Sequence, residues 1–300
     1  MPRASCSNAR RLVVGLLLAT PITASAQSLE RDRAAHVRYL GLNVAIGATS
    51  AIARAVASGG SVREALAKGV VGGSLMSGGM ELLGMESRST RFAGLQLTAV
   101  GASVARNVGA RTPMFSDIVL PIYPFFVRVR PGAPTPVTAR VSMMSAARLL
   151  SVMTSGDRLR VDWHETLVTG APVLGSPRWR LPSNSCPSPC DGSFAQHNAG
   201  VVIYSASAGT DYDLRRTLAH ESVHRAQQSR DAILDAIPMS DAALGRLGRP
   251  GRMVSRFLVV DAVMPMRLID EGELRMRGAA RRFSWYETEA RAFAPGGEIR

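Results

Sequence analysis

Apolar and small side chains dominate residues 28 to about 112, and their spacing is typical of helices. Ser61 and Glu64 stand three residues apart, in the capping-box pattern that begins a helix. A further helical stretch spans Phe92 to Asn107. The region is rich in glycine, which lowers helix propensity and so needs a structural reason. We expect the glycines to let neighbouring helices pack closely, as small residues do in membrane bundles.

Uncharged runs in this region are short. The longest are Tyr39–Ala53, Gly69–Met80 and Phe92–Ala105, and each falls below the roughly 18 apolar residues that a membrane-spanning helix needs. We therefore predict tightly packed helices, with peripheral association with the outer membrane as the alternative.

The pattern changes at Pro113, where short β-type runs replace helical spacing. Ile118–Leu120, Phe125–Val129 and Leu159–Trp163 are predicted strands, and residues 200–205 form another. From Asp211 to Phe293 the pattern is mainly helical, with breaks expected near Pro238, Pro250 and Pro265. Helices and short strands in this order predict an α+β fold.

Composition supports a folded, globular protein. The chain has 300 residues, of which 46% are hydrophobic and 20% charged, and these proportions exclude intrinsic disorder. The formal charge of +13 comes almost entirely from arginines spread along the chain, since Lys68 is the only lysine. Because no block of five or six basic residues occurs, we expect no nucleic-acid groove.

The first 26 residues have the layout of a secretory signal peptide. Arg3, Arg10 and Arg11 precede an apolar stretch from Leu12 to Ile22, and Ala24-Ser25-Ala26 offers a cleavage site before Gln27. We therefore predict an exported protein, located in the periplasm or associated with the outer membrane.

Two cysteines remain after this segment, Cys186 and Cys190, in a short loop with two prolines. Outside the cytosol, two thiols this close most simply form a disulfide. A structural zinc site is the weaker interpretation, because the mature chain has no further cysteine to complete it.

One predicted helix carries the strongest chemical signal, the sequence His220-Glu221-Ser222-Val223-His224. Two imidazoles four residues apart lie on nearly the same helix face and can reach one metal ion. Glu221 follows the first histidine and is placed to deprotonate a metal-bound water. Leu214, Leu218 and Val223 are the expected apolar anchors of this helix.

A catalytic zinc has three protein ligands and an open position. The remaining histidines are His36, His164 and His197, and the metzincin extension is absent because Gln227 and Arg230 occupy its positions. The third ligand is therefore expected to be a carboxylate from a second helix.

Glu287-Thr288-Glu289-Ala290 supplies such a carboxylate, and here the chain resembles zinc metallopeptidases of the gluzincin type. In that family HExxH is followed on a later helix by a glutamate ligand, often within ExxA(D), which places Glu287 as the ligand. Arg291 stands where the family has an acid that orients a ligand histidine, so Asp270 or Glu289 is the candidate for that role. Rival third ligands remain open: Glu289, Glu271, Glu273, His197 and His164.

The chain is also similar to exported bacterial proteins in which HExxHxxQ precedes an E-x-E-A helix, and Gln227 matches the final position. The resemblance covers residues 200 to 295, about a third of the chain. It implies a zincin-like catalytic core with a small edge sheet. In zincins an edge strand before the active helix binds the substrate backbone, and Val201–Tyr204 occupies the corresponding place.

These features divide the chain into four predicted parts. Residues 1–26 are the signal peptide, 27–112 the Gly/Ala-rich helices, 113–198 a β-rich region with the Cys-Pro loop, and 199–300 the zincin-like catalytic helices.

The predicted function is zinc-dependent hydrolysis of peptide bonds, with His220, His224 and Glu287 as Zn²⁺ ligands and Glu221 as general base. The substrate is a peptide or protein, and Tyr286, Tyr204 and Arg225 are candidate oxyanion donors. The alternative is a non-catalytic cell-envelope interaction protein whose zinc site is structural or vestigial.

Overall fold

A computed structural model describes residues 33–143, 145–147, 150, 160–176, 195–198, 201–205, 211–260 and 285–294. The helices are α1 (Arg33–Ala57), α2 (Val62–Leu83), α3 (Arg88–Gly109), α4 (Trp163–Thr169), α5 (Asp211–Asp231), α6 (Ile237–Arg246), α7 (Gly248–Val254) and α8 (Trp285–Phe293). The strands are β1 (Ile118–Ile122), β2 (Phe125–Val129), β3 (Val137–Ser142), β4 (Arg160–Val161), β5 (Val173–Ser176), β6 (Ala195–Asn198), β7 (Val201–Ser205) and β8 (Leu258–Val259). The fold mixes helix and sheet, in agreement with the α+β prediction at that level.

The glycines of α1, α2 and α3 lie where the three helices touch. A Cβ atom added at Gly72 would lie 2.7 Å from the carbonyl oxygen of Gly101, and one at Gly47 would lie 2.6 Å from the amide nitrogen of Gly73. No side chain fits at these separations, because real Cβ contacts under 3.0 Å essentially never occur. The expectation that glycine permits close helix packing is therefore confirmed.

Helix α3 lies between the other helices and the first sheet. It contacts α1, α2, α5 and strand β1, and most of its last three turns are buried. Its polar residues bind neighbouring elements: Ser103 Oγ accepts the amide of Val119 at 3.0 Å, and Asn107 Nδ2 donates to the Asp117 carbonyl at 2.9 Å. Buried polar groups of this kind fix α3 in position because each needs its partner.

The strands form two sheets of four. Strands β1, β2 and β3 are an antiparallel meander, and β8 pairs with β3 in parallel. The second sheet has the order β4-β5-β7-β6, in which β7 is parallel to β5 and antiparallel to β6. The predicted strands at 118–120, 125–129 and 200–205 are confirmed within one or two residues.

The predicted strand Leu159–Trp163 is wrong beyond its first residues, since β4 ends at Val161 and α4 begins at Trp163. The Asp162 side chain accepts the amide of Glu165 at 3.0 Å, so Asp162 begins a helix and is not part of a strand. His164 consequently lies exposed in the first turn of α4 and not at a strand end.

The predicted helix break near Pro238 is also wrong. A π-helical turn, Ala232–Ala236, continues α5 into α6, and Pro238 occupies the first turn of α6. Proline has no amide hydrogen to donate to the preceding turn, and it stands directly after the irregular π-helical turn, beyond which the chain continues as a helix. Near Pro250 the chain does change direction, at Leu247, and Pro265 lies outside the described residues.

One described helix is long and apolar enough to cross a membrane by length and composition. Ala34–Ala57 has a mean hydropathy of 1.4 in its most apolar window, of which 28% is buried. The buried core helix of a folded domain passes the same test, and α1 carries a fully buried Asn43 whose side chain bonds other helices.

We predict opposite effects for two glycine-to-alanine substitutions. Gly72→Ala forces α2 away from α3, so we expect the free energy of unfolding to fall by about 2 kcal/mol. Gly41→Ala, the matched control, adds a methyl group with nothing within 4 Å and removes a helix-interior glycine, so it stabilises by up to about 1 kcal/mol. Urea unfolding measures both, and equal effects would contradict backbone contact as the reason for Gly72.

Candidate metal centre

Helix α5 is buried although it is mostly polar. Leu218 and Val223 are buried as expected, and the side chain of Leu214 lies outside the described residues. Burying a polar group costs free energy unless it forms a hydrogen bond, so each of these side chains needs a partner. The buried polar side chains of α5 are His220, Glu221, Ser222, Arg225, Gln227, Ser229, Arg230 and Asp231.

The two motif histidines face each other on α5. Their ring centroids are 4.9 Å apart and the ring planes are nearly perpendicular, at 85°. His220 is buried and His224 is half-buried. The helical spacing that the sequence indicated therefore brings both imidazoles to one place.

Each imidazole is oriented through its Nδ1 atom. His220 Nδ1 lies 3.1 Å from the carbonyl oxygen of Ala294, and a carbonyl can only accept, so Nδ1 carries the proton. His224 Nδ1 lies 2.9 Å from Gln227 Oε1, which is likewise an acceptor. In the neutral rings the lone pair is then on Nε2, which is the arrangement in which metal-binding histidines are held.

The orientation of the Gln227 amide is determined by its other end. Its Nε2 donates to the Tyr286 carbonyl at 2.9 Å and to Glu289 Oε2 at 3.0 Å. Both partners accept, so the amide oxygen must face His224. Glu289 thus acts on His224 through Gln227, which matches the orienting role that the sequence analysis considered for Glu289 or Asp270.

Glu289 is fully buried and its carboxylate is shared among three helices. Asn43 Nδ2 of α1 donates to Glu289 Oε1 at 2.7 Å, and Arg230 Nη1 of α5 lies 3.1 Å from the same oxygen. Arg230 Nη1 also donates to Asn43 Oδ1 at 2.7 Å. We refer to Asn43, Gln227, Arg230 and Glu289 as the buried polar network.

The Arg230 guanidinium remains charged inside this network. Burial lowers the pKa of Arg230, but attraction to the carboxylates of Glu289 and Asp231 outweighs burial and raises the pKa above its ordinary value. Arg230 Nε donates to Asp231 Oδ1 at 3.1 Å, and the Tyr286 hydroxyl donates to Asp231 Oδ2. A second buried carboxylate therefore joins α5 to α8.

Helices α5 and α8 run antiparallel. His220 is bonded to the carbonyl of Ala294, whereas Gln227, about two turns later in α5, is bonded to the carbonyl of Tyr286, which comes earlier in the chain. The closely packed interface between them contains small residues, Ala219 and Ala226 on one side and Ala290 on the other. Alanine at 290, the last position of ExxA, permits this approach because it adds little bulk.

Helix α1 also contacts α8, through His36. His36 Nδ1 lies 3.2 Å from the Ala292 carbonyl, and its ring contacts Phe293 edge-on with centroids 5.4 Å apart. The other ring nitrogen pairs with Glu81 of α2. His36 is thus used in helix packing, between Glu81 of α2 and the C-terminal end of α8.

Glu221 is 7% exposed and directly follows His220. Successive helix positions differ by about 100°, so Glu221 borders the face that holds the two histidines. Glu221 therefore lies beside the histidine pair, and its role as general base stays a prediction.

The third-ligand prediction falls partly beyond the described residues. Glu287 belongs to α8, but its side chain lies outside the described part, as do Asp270, Glu271, Glu273, Cys186 and Cys190. Within the described residues, no three His, Cys, Asp or Glu side chains form a group that could hold a metal. The assignment of Glu287 stays a prediction.

The rival histidines occupy other elements. His164 is exposed on α4 and belongs to no such group. His197 lies in strand β6, opposite Val202 of β7, since residues 195–198 pair with residues 201–204. Its side chain is outside the described part.

The edge strand of the second sheet is not the predicted one but its neighbour. Val201–Tyr204 lies in β7, which has β5 on one side and β6 on the other, so it has no edge to offer. The edge next to β7 is β6, Ala195–Asn198, which runs antiparallel to it. The sequence alone indicated one strand here, whereas the structure forms a hairpin.

Two of the three candidate oxyanion donors already donate hydrogen bonds to other groups of the protein. The Tyr286 hydroxyl donates to Asp231, and the buried Arg225 Nε donates to the Gly170 carbonyl at 2.7 Å. Both therefore hold elements together, and Tyr204 has its side chain outside the described part.

Sequence reasoning missed Asn43 and Arg230. Each residue is unusual for its place in the chain. Asn43 is an amide within an otherwise apolar run, and Arg230 is a cation in the last turn of the histidine helix, much of which is buried. Neither signal identifies its partner, because the contact to Glu289 spans 246 residues for Asn43 and 59 for Arg230.

We predict that Glu289→Gln lowers the free energy of unfolding by about 3 kcal/mol in metal-free protein. The substitution leaves the buried Arg230 with one carboxylate instead of two, and uncompensated buried charge is costly. Glu81→Gln, which removes the partly exposed partner of His36, is the control and should have a much smaller effect. Denaturant unfolding measures both, and equal losses would show that the network adds no special stability.

Comparisons with protein-family models, with curated proteins and with solved structures give no match.

Proposed function

We propose that this chain is an exported zinc-dependent metallopeptidase whose metal ligands are His220, His224 and Glu287. The observation that carries the proposal is the pair of motif histidines, 4.9 Å apart, each with Nδ1 on an acceptor. Imidazoles whose Nδ1 is held by an acceptor in this way are typical of metal ligands.

The donor chemistry suits zinc. Two neutral imidazoles and one carboxylate are a common catalytic zinc set that leaves one coordination position open. When bound, zinc lowers the pKa of water and polarises a carbonyl group.

The choice of Glu287 over Glu289 is supported by the network. Glu289 is occupied by Asn43, Gln227 and Arg230, and positions 287 and 289 are about 200° apart around a helix. Position 287 therefore lies on the side of α8 opposite to the one that carries Glu289.

The chain's own residues have distinct roles in this proposal. Glu221 accepts a proton from the attacking water and returns it to the leaving amine. Gln227 and the Ala294 carbonyl hold the imidazoles in one tautomer. Among the described strands, β6 is the outer strand of its sheet, and the substrate backbone adds to it as an extended strand, since an edge strand offers unpaired amides and carbonyls.

The remaining parts of the proposal concern export. We assign residues 1–26 as a signal peptide, Cys186 and Cys190 as a disulfide, and the periplasm or outer membrane as the location. A peptide or protein is the substrate.

We predict that purified residues 27–300 contain about one zinc per chain. Glu287→Ala should lose zinc or bind it much more weakly, whereas the exposed Glu64→Ala, the matched control, should retain it. Inductively coupled plasma mass spectrometry after dialysis measures both. Zinc retained undiminished in Glu287→Ala would move the third ligand elsewhere. No zinc in any variant after reconstitution would favour the non-catalytic envelope protein.

We predict that Glu221→Gln retains zinc but loses cleavage of a peptide library by at least about a hundredfold, because an amide cannot act as general base. Glu64→Gln is the control and should leave turnover unchanged. Retained turnover in Glu221→Gln, with normal zinc content, would contradict the role of Glu221.

A further inference from the structure

The segment that follows the histidine helix exposes arginine and large apolar side chains together. It comprises α6, α7 and the turn that leads into β8. We call its exposed residues the basic–apolar surface: Arg246, Leu247, Arg249, Arg252, Met253, Arg256 and Phe257.

Helical spacing places the members of this surface together. Arg249, Arg252 and Met253 are at positions i, i+3 and i+4, so they share one face of α7. The opposite face is buried at Gly251, where an added Cβ would overlap the carbonyl oxygen of Leu244 in α6. Helix α7 therefore packs closely on the end of α6 and holds the arginines outward.

Within the part of the chain that the structure describes, no carboxylate compensates the charge of this surface. No acidic residue occurs between Asp241 and Asp261, and Asp241 pairs with Arg140 at 2.7 Å. Among the described residues, the four guanidinium groups of the surface make no ion pair with a carboxylate. The four arginines therefore make this surface cationic.

The apolar members are unusually exposed for their size. Leu247 is 67% exposed, Met253 65% and Phe257 62%. Single exposed apolar residues are ordinary, but three large ones within eleven residues and among four arginines form a patch that favours an apolar partner.

We propose that the basic–apolar surface binds an anionic lipid bilayer. The arginines attract acidic headgroups, and Leu247, Met253 and Phe257 enter the boundary between headgroups and acyl chains. The exposed apolar side chains favour this partner over a nucleic acid, whose binding sites are mainly polar and positively charged. The proposal is independent of the zinc site, since no member of the surface belongs to the histidine motif or the buried polar network.

The test is cosedimentation of purified residues 27–300 with vesicles. We expect binding to vesicles of phosphatidylglycerol and phosphatidylcholine in a 1:1 ratio, weakened by salt, and little binding to pure phosphatidylcholine. Each arginine near an anionic surface contributes about 1 kcal/mol, so Arg252→Gln/Arg256→Gln should weaken binding roughly thirtyfold. Met253→Ser/Phe257→Ser should weaken it about tenfold, because it removes apolar insertion but no charge.

The matched control places the same charge change elsewhere. Arg38→Gln/Arg63→Gln removes two exposed arginines from α1 and α2, which also expose apolar residues, and should leave binding unchanged. Loss of binding in this control alone would overturn the proposal in favour of the Gly-rich helices. Equal binding to both vesicle types, or tighter binding of a DNA duplex than of anionic vesicles, would also overturn it. Circular dichroism and zinc content verify that each variant is folded.

Discussion

The ion pair between Arg230 and Glu289 is the interaction on which the rest of the site depends. Both side chains are fully buried, and a buried charge is tolerated only with close partners. Because the pair joins α5 to α8 and takes Asn43 from α1, three helices distant in sequence must meet at one point. Any arrangement that separates them leaves a charge without compensation.

This constraint reaches the candidate metal centre through Gln227. The amide can donate to Glu289 only when its oxygen faces His224, so the position of Glu289 determines which nitrogen of His224 carries the proton. A structural ion pair and the orientation of a candidate metal ligand are thereby coupled. The Gly-rich helices take part as well, because Asn43 and His36 belong to α1 and contact α8.

Close packing of the N-terminal helices makes this coupling rigid. Gly72 and Gly101 bring the backbones of α2 and α3 into contact, and neither position can accept a side chain without displacement. In interiors packed this densely, a displacement of one helix is passed on to its neighbours, since there is little free volume to absorb it. The glycines therefore serve the placement of α1 and α3 against the histidine helix.

Sequence alone determined the features that depend on local spacing. The Ser61 cap, the strands β1 and β2, and the shared face of His220 and His224 follow from residue type and period, because these act within a few residues. Tertiary structure alone decided the features that join distant residues: the meeting of Glu289 with Asn43 and Arg230, the tautomers of the two histidines, and the place of β6 at the sheet edge. A pattern along the chain records which side chains must be buried, but only packing selects their partners.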